Sequence, residues 1–349
     1  MMVTGGSGTV HSTEPLNPTS TPAREAEQAP PPSEAAVEPN VEPNGNGAPE
    51  LREKGLYLIG RPTLKQFLRH VRRHAVDPPA EADLIDEWNA ANRVLHTRER
   101  DEAGLADDAP IVRMGPEYTP LLSDLLRDPM IRHGFNSVPT EVALVDLERV
   151  VVYQKHIDLG HVARLERELP PELSREQIFR FCLPYDHALP PVRWSRTLRD
   201  KFVFVSPSND LRFLGIMPLE AHDIPHTPHP GVLVGVVGIA VGFGSNFLNA
   251  VYAERRLILR NGSHRAYLLR KRGITRVPCI IQHASSREEL EVVGSSALQR
   301  DPDLYLSSPR PPMLRDYFDP DLYKVMTVQQ RLHQVTVSFD AEEGEIPVL

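Results

Sequence analysis

Apolar positions recur at helical spacing in residues 62–76 (PTLKQFLRHVRRHAV). Leu64, Phe67, Leu68 and Val71 share a face there, and Pro62 suits a first helical position. Residues 80–98 and 118–128 read as second and third helices, the latter ending before Pro129, and residues 101–108 read as an exposed acidic loop. Near residue 141 the pattern changes. Residues 141–153 (EVALVDLERVVVY) end in a β-branched run and predict a strand, and Asp158 is placed to cap a helix over 159–169, before Pro170-Pro171. Residues 201–205 and 211–217 flank Ser206-Pro207-Ser208-Asn209-Asp210, which predicts a β-hairpin. Strands are expected over 232–241, 246–252 and 256–260. A turn at Asn261-Gly262-Ser263 then leads into a helix over 264–272, a stop at Gly273 and a strand over 277–282. Residues 301–312 read as a proline-rich connector, and Val335, Val337 and Phe339 alternate as in a last strand.

These elements predict an α/β fold with helices and strands mixed. The expected organisation is a tail over 1–54, a helical section over 55–138, an α/β domain over 139–300 with an insertion at 170–230, and an extension over 301–349. Composition sharpens the picture at the N-terminus. The first 50 residues hold seven Glu, one Arg and nine Pro, with no Phe, Tyr or Trp. Such a segment buries too little apolar surface to offset its ordering entropy and is expected to be disordered. It carries a net −6 of the chain's total −8, so the remainder is nearly neutral, and the global basic balance of a nucleic-acid binder is absent. Within the remainder, residues 255–276 hold eight Lys or Arg and no acid. They read either as a local anion attractor or as ordinary cations, Arg270, Lys271 and Arg272 closing a helix C-terminus.

Two cysteines, Cys182 and Cys279, exclude a disulfide framework and a cysteine-rich zinc site, so a reducing, cytoplasmic compartment is expected. The longest apolar run, 232–243, has 12 residues broken by three glycines, short of the about 20 that span a bilayer. No basic stretch followed by an apolar one opens the chain, so no secretory leader is expected.

The most informative segment is 257–282 (LILRNGSHRAYLLRKRGITRVPCIIQ): strand, tight turn, helix, glycine stop, strand. Gly262 can adopt a backbone conformation closed to other residues. The amides of Ser263, His264 and Arg265 then fall at a helix N-terminus, where free N–H groups and the helix dipole attract anions. Ser263 adds a hydroxyl, His264 a switchable donor and Arg265 a forked cation suited to phosphate. The alternative is a structural turn.

Gly262-Ser263-His264-Arg265, Gly273 and Pro278 together resemble the signature of the ParB/sulfiredoxin superfamily, and residues 150–169, with Tyr153-Gln154-Lys155-His156, resemble its opening strand and helix. The resemblance covers about residues 141–283. It implies a nucleotide or phosphate site at the turn, built from Asn261, Gly262, Ser263, His264, Arg265 and Lys155. It also implies a nucleoside di- or triphosphate as ligand, with Mg²⁺ bridging the phosphates. Members bind CTP as DNA clamps, repair sulfinic acid with ATP and a cysteine, phosphorylate free serine, or are nucleases. Ser263 stands where the sulfiredoxin cysteine would be, and His264 where the partition proteins carry a second arginine. No helix-turn-helix pattern follows residue 283, so specific DNA binding is disfavoured. The expectation is therefore a phosphotransferase or nucleotide hydrolase acting on a small substrate. Its alternative is a non-catalytic, nucleotide-switched module, and a homo-oligomer fits either.

Three further constellations stay open. Asp158 or His161 reads as a general base, or as a cap and a surface residue, with Lys155 a phosphate contact. His222, His226 and His229 can ligate zinc, iron or nickel, making a metal-dependent enzyme or nuclease, or they belong to a proline-stiffened lid. The glycine-rich 242–246 link, with Asn249, cradles phosphate or simply turns. Arg193, Arg196 and Arg199 form a docking patch or an ordinary exposed face.

Overall fold

The computed structural model describes residues 52–185, 189–198, 200–208, 210–220 and 235–345. The chain opens with β1 (Arg52–Leu58), α1 (Leu64–His74), α2 (Glu81–Asp101), β2 (Ile111–Arg113), α3 (Thr119–Leu125), α4 (Pro129–Gly134) and β3 (Thr140–Asp146). Thr63 rather than Pro62 starts the first helix, its hydroxyl accepting the Gln66 N–H. β4 (Val151–Val152) and β5 (His156–Asp158) follow, then α5 (Leu159–Glu168) and α6 (Arg175–Cys182). Next come β6 (Arg193–Leu198), β7 (Lys201–Ser206), β8 (Leu211–Leu219), β9 (Val236–Phe243), β10 (Asn249–Ala253) and β11 (Arg256–Asn261). α7 (Ser263–Lys271) and β12 (Arg276–His283) complete the signature segment. α8 (Arg287–Val293), α9 (Ser296–Arg300), α10 (Pro302–Leu306), β13 (Tyr323–Gln329) and β14 (His333–Ser338) end the described chain.

The fold is α/β. Its centre is a six-stranded mixed sheet in the order β2-β3-β12-β10-β11-β4. Strand alternation splits its side chains between two faces. Ala250, Leu257 and Leu259 join the larger core with Ala266, Leu268 and Leu269 of α7, Val162 of α5 and Phe179 of α6. Val251, Ala253 and Ile258 face a smaller core closed by Leu290, Val293, Leu298 and Leu306 of the last three helices.

Several elements depart from the sequence expectation. The strand expected over 141–153 is two strands at different positions in the sheet, because Asp146 accepts the Glu148 N–H and turns the chain between them. Residues 201–205 and 211–217 do not form a hairpin: β7 pairs with β6 and β14, and β8 pairs with β9. The register sets Phe202 opposite Val337 and Phe204 opposite Val335, an apolar match that a local hairpin would forgo. The 101–108 loop is not merely exposed. Asp107 pairs with Arg256 and Asp108 with Arg255, which holds the β10–β11 turn. Residues 52–58 form a strand between β13 and β5, so the N-terminal helices α1 and α2 pack on a sheet that joins distant parts of the chain.

The 301–312 connector contains Arg310, 2% exposed. Its guanidinium donates to Glu102 at the end of α2 (3.0 Å) and to Asp316, whose other hydrogen bond is to the Met313 N–H (2.9 Å). Removing one member of a buried ionic group strands the others. Arg310→Ala is therefore expected to lower the unfolding free energy by about 3–5 kcal/mol, read from urea denaturation midpoints.

Candidate functional site

Gly262 caps α7 in the left-handed region (φ 90°, ψ 20°), and a Cβ there would lie 3.0 Å from the Leu248 Cα. Asn261 locks the turn from both sides: its Oδ1 accepts the Gly262 N–H (2.8 Å) and its Nδ2 donates to the Ser245 carbonyl (2.7 Å). The next amides, of Ser263, His264 and Arg265, have no acceptor among the described residues, and the N-cap, a glycine, has no side chain to offer one. Three amides at the start of a helix are thus left free, the arrangement that suits an anion.

Arg265 is a different matter. It is 7% exposed, and its Nη1 donates to the carbonyls of Phe181 and Cys182, both at 3.1 Å, while Nη2 donates to Asn246 Oδ1. Phe181 and Cys182 end α6, whose last carbonyls lack helical partners, so the guanidinium caps that helix. The expectation that Arg265 grips a ligand phosphate is corrected: its donors are turned to the protein's own oxygens, and its role is structural. The 242–246 link is bound into the same scaffold through Asn246, Ser245 and the Gly244 N–H, which donates to the Asp210 carbonyl (3.0 Å).

Around the turn the structure brings Asp158, His161 and His264 together. Asp158 accepts the His161 N–H (2.9 Å) as the cap of α5, and its own N–H donates to His264 Nε2 (3.0 Å). The rings of His161 and His264 meet edge to face at 5.1 Å. Since Nε2 accepts, His264 is the neutral tautomer with its proton on Nδ1. Burial pushes its pKa down to about 3, reinforced by His161, His156 and the nearby guanidiniums of Arg265 and Arg164. Burial also lowers the pKa of His161 and of His156.

His156 continues the array toward α1. It lies 6.2 Å from His70, centroid to centroid; His70 lies 4.5 Å from His74 and stacks on Tyr57 at 3.9 Å. Burial takes His70 down to about 3 as well. Tyr57, His70, Tyr153, Gln154, Lys155 and His156 line an open cleft of about 460 Å³. Lys155 donates from Nζ to Gln66 Oε1 (3.1 Å), and burial lowers its pKa, with Arg300 acting in the same direction. A wider groove of about 710 Å³ runs along α1 past Leu64, Leu68 and Arg72, but none of its lining residues belongs to this cluster.

The eight cations of 255–276 are mostly neutralised within the protein. Arg255, Arg256, Arg270 and Lys271 pair with Asp108, Asp107, Glu148 and Glu166, and Arg272 donates to the Pro170 carbonyl (2.7 Å). Arg276 is exposed. Arg260 is half-buried and has no carboxylate partner among the described residues; its Nη1 donates to Gln282 Oε1 (3.1 Å). In the sequence Arg260 stands only as one charge among eight, and no local spacing signals Gln282 or Arg212.

Arg193 and Arg196 lie on β6, where Arg196 covers the Phe202 ring at 5.6 Å; Arg199 lies outside the described residues. His222, His226 and His229 also lie outside the described residues. Among the described residues no group of three or more His, Cys, Asp or Glu is arranged to hold a metal ion, and no helix is long and apolar enough to cross a membrane. Both cysteines are buried thiols, with burial raising Cys182 to about 12.

No protein-family model, curated protein or solved structure matches this chain.

Two predictions follow from the geometry around α7. Arg265→Ala leaves the α6 carbonyls unsatisfied and is expected to cost about 3 kcal/mol or more of stability in urea denaturation. His264 holds its pKa near 3 when folded, against 6.5 when free, so between those values only the unfolded chain takes up the proton. Its contribution to stability is complete above about pH 6.5 and is lost as pH falls toward 3. His264→Gln is expected to flatten the fall of the melting temperature across that window, measured by circular dichroism.

Proposed function

We propose that this chain binds a nucleoside di- or triphosphate at the Gly262 turn and transfers a phosphoryl group to a small hydroxyl-bearing substrate or to water. The observation that carries this reading is the row of three amide donors on α7, open after a left-handed glycine and flanked by two neutral imidazoles. The resemblance of residues 141–283 to the ParB/sulfiredoxin superfamily, carried in part by the same turn, points the same way.

The roles divide by chemistry. His264 cannot serve as base, because its Nε2 lone pair already accepts the Asp158 N–H; its Nδ1–H donates to the charge that develops on the phosphate. His161 is neutral at physiological pH, and its ring makes no hydrogen bond among the described residues, which suits it to take the proton of the attacking hydroxyl. That oxygen then bonds to phosphorus as the bond to the leaving diphosphate oxygen breaks. Asp158 is the carboxylate of the cluster, and Mg²⁺ held by the ligand's phosphates needs only one or two such oxygens from protein. The ion would neutralise phosphate charge. Lys155, at the cleft, is placed to contact an anionic group of either substrate.

A second reading, a nucleotide-switched interaction module, draws on one other feature. The β8–β9 ribbon exposes Phe213, Leu214, Ile216, Met217 and Val237, an apolar surface of the kind partners cover. The two readings separate on turnover. Isothermal calorimetry of the folded protein with ATP, ADP, CTP and GTP plus Mg²⁺ is expected to detect binding of at least one nucleotide. His161→Ala is expected to keep that affinity while losing phosphate release. Absence of binding to all four overturns both readings, and binding without turnover in the wild type selects the module.

A further inference from the structure

The cation that Arg265 fails to supply is present elsewhere at the same end of the sheet. β10 and β11 pair with a register break: Asn249 lies opposite Asn261, but Ala250 lies opposite Leu259. Arg260 is the extra residue, left without a ladder partner. A bulge of this kind re-aims a side chain at the rim of a sheet. Arg260 immediately precedes the Asn261-Gly262 turn, so the bulge sits at the mouth of the anion-binding amides.

Three observations set this residue apart. It is half-buried, yet the only bond of its guanidinium among the described residues is to the neutral Gln282. A second cation stands at the same rim: Arg212 lies over Gly244, whose neighbour Ser245 accepts the Asn261 Nδ2 donor, and it adds to burial in lowering the pKa of Arg260. Arg212 is itself held in place, donating from Nε to the Asp210 carbonyl (3.2 Å) and from Nη2 to Asp210 Oδ1 (3.4 Å), and its guanidinium packs over Gly244 with no room for a Cβ. Finally, Asn249, facing the bulge across the ladder, is 2% exposed, and its Oδ1 has no partner. A buried acceptor without a donor is costly and marks a place where a group from outside completes the bonding.

We propose that Arg260 and Arg212 form the cationic half of the phosphate site, gripping the terminal phosphates of a polyphosphate ligand whose other oxygens meet the α7 amides. This rests on the reading of the turn as a phosphate site and names the side chains that read the charge. A dianionic group that meets both guanidiniums is held from two sides, and a forked donor matches phosphate oxygens in pairs. Tyr153 connects this pair to the 460 Å³ cleft: it lines the cleft, and its hydroxyl donates to the Arg260 carbonyl. A ligand phosphate at the pair therefore leaves the rest of the molecule directed toward the cleft.

The test is calorimetric titration of the full chain with Mg²⁺-ATP and, separately, with inorganic pyrophosphate and tripolyphosphate. Wild type is compared with Arg260→Gln, Arg260→Lys and Arg212→Gln, with melting temperatures of the unliganded proteins as the folding control. Arg212 is half-exposed, so its variant reports on binding even if the Arg260 variants do not fold. Arg260→Gln and Arg212→Gln are each expected to weaken tripolyphosphate binding about tenfold or more, and Arg260→Lys is expected to recover only part of the loss. Wild-type affinity for ATP with no loss in folded Arg260→Gln and Arg212→Gln overturns this assignment while leaving the nucleotide reading intact. Binding of tripolyphosphate but of no nucleotide, lost in the variants, supports the arginine pair and overturns the nucleotide reading. A wild type that binds none of these ligands overturns both.

Discussion

The guanidinium of Arg265 is the contact on which the arrangement of the site depends. It joins three segments that are far apart in sequence: the end of α6, the glycine-rich link at Asn246 and the first turn of α7. A charge this deeply buried is tolerable only when its donors are filled. Filling them forces the α6 carbonyls and the link to converge on the same point beneath the signature turn. The Cys182 carbonyl also accepts the Leu248 N–H (2.8 Å), so β10 enters the sheet from the same anchor. Leu248 in turn is the residue against which Gly262 packs too closely for a side chain. The turn is shaped by this chain of contacts rather than by any ligand.

The second organising feature is a run of imidazoles with no carboxylate hydrogen-bonded to any of their rings among the described residues. His264, His161, His156, His70 and His74 come from α7, α5, β5 and α1, and burial disfavours the charged form of each. Neutral imidazoles beside free amides give a region rich in donors, with Asp158 as its carboxylate. In the proposed site, Arg260 and Arg212 add positive charge at its edge. On the proposed reading, an anionic ligand is held by cations at one end while neutral donors and a base act at the other, the division phosphoryl chemistry requires.

Local pattern was enough for much of the chain. Gly262 at a left-handed turn, the Asp158 cap, the helix that follows Ser263 and its stop at Gly273 all depend on interactions within a few residues, which spacing alone encodes. The α/β class and the buried strand around Cys279 were legible for the same reason, since alternation and length carry them. The nearness of Asp158, His161 and His264 came from two such motifs side by side. Pairing partners were not legible. Nothing in residues 52–58 announces that they lie between β5 and β13, because register against a distant strand depends on which apolar faces remain to be covered.

The direction of charged side chains was the other matter that tertiary structure alone decided. Arg260 and Arg265 read alike in the sequence, two arginines five positions apart around one turn. One faces carbonyls that α6 delivers from some eighty residues upstream. The other is lifted from the ladder by a bulge that exists only once β10 and β11 are in register. Sequence determined that cations, a glycine turn and a helix start would be neighbours. Which cation was consumed in capping α6, and which was left with only a neutral glutamine among the described residues, depended on acceptors supplied by distant segments, and a local pattern holds no information about those.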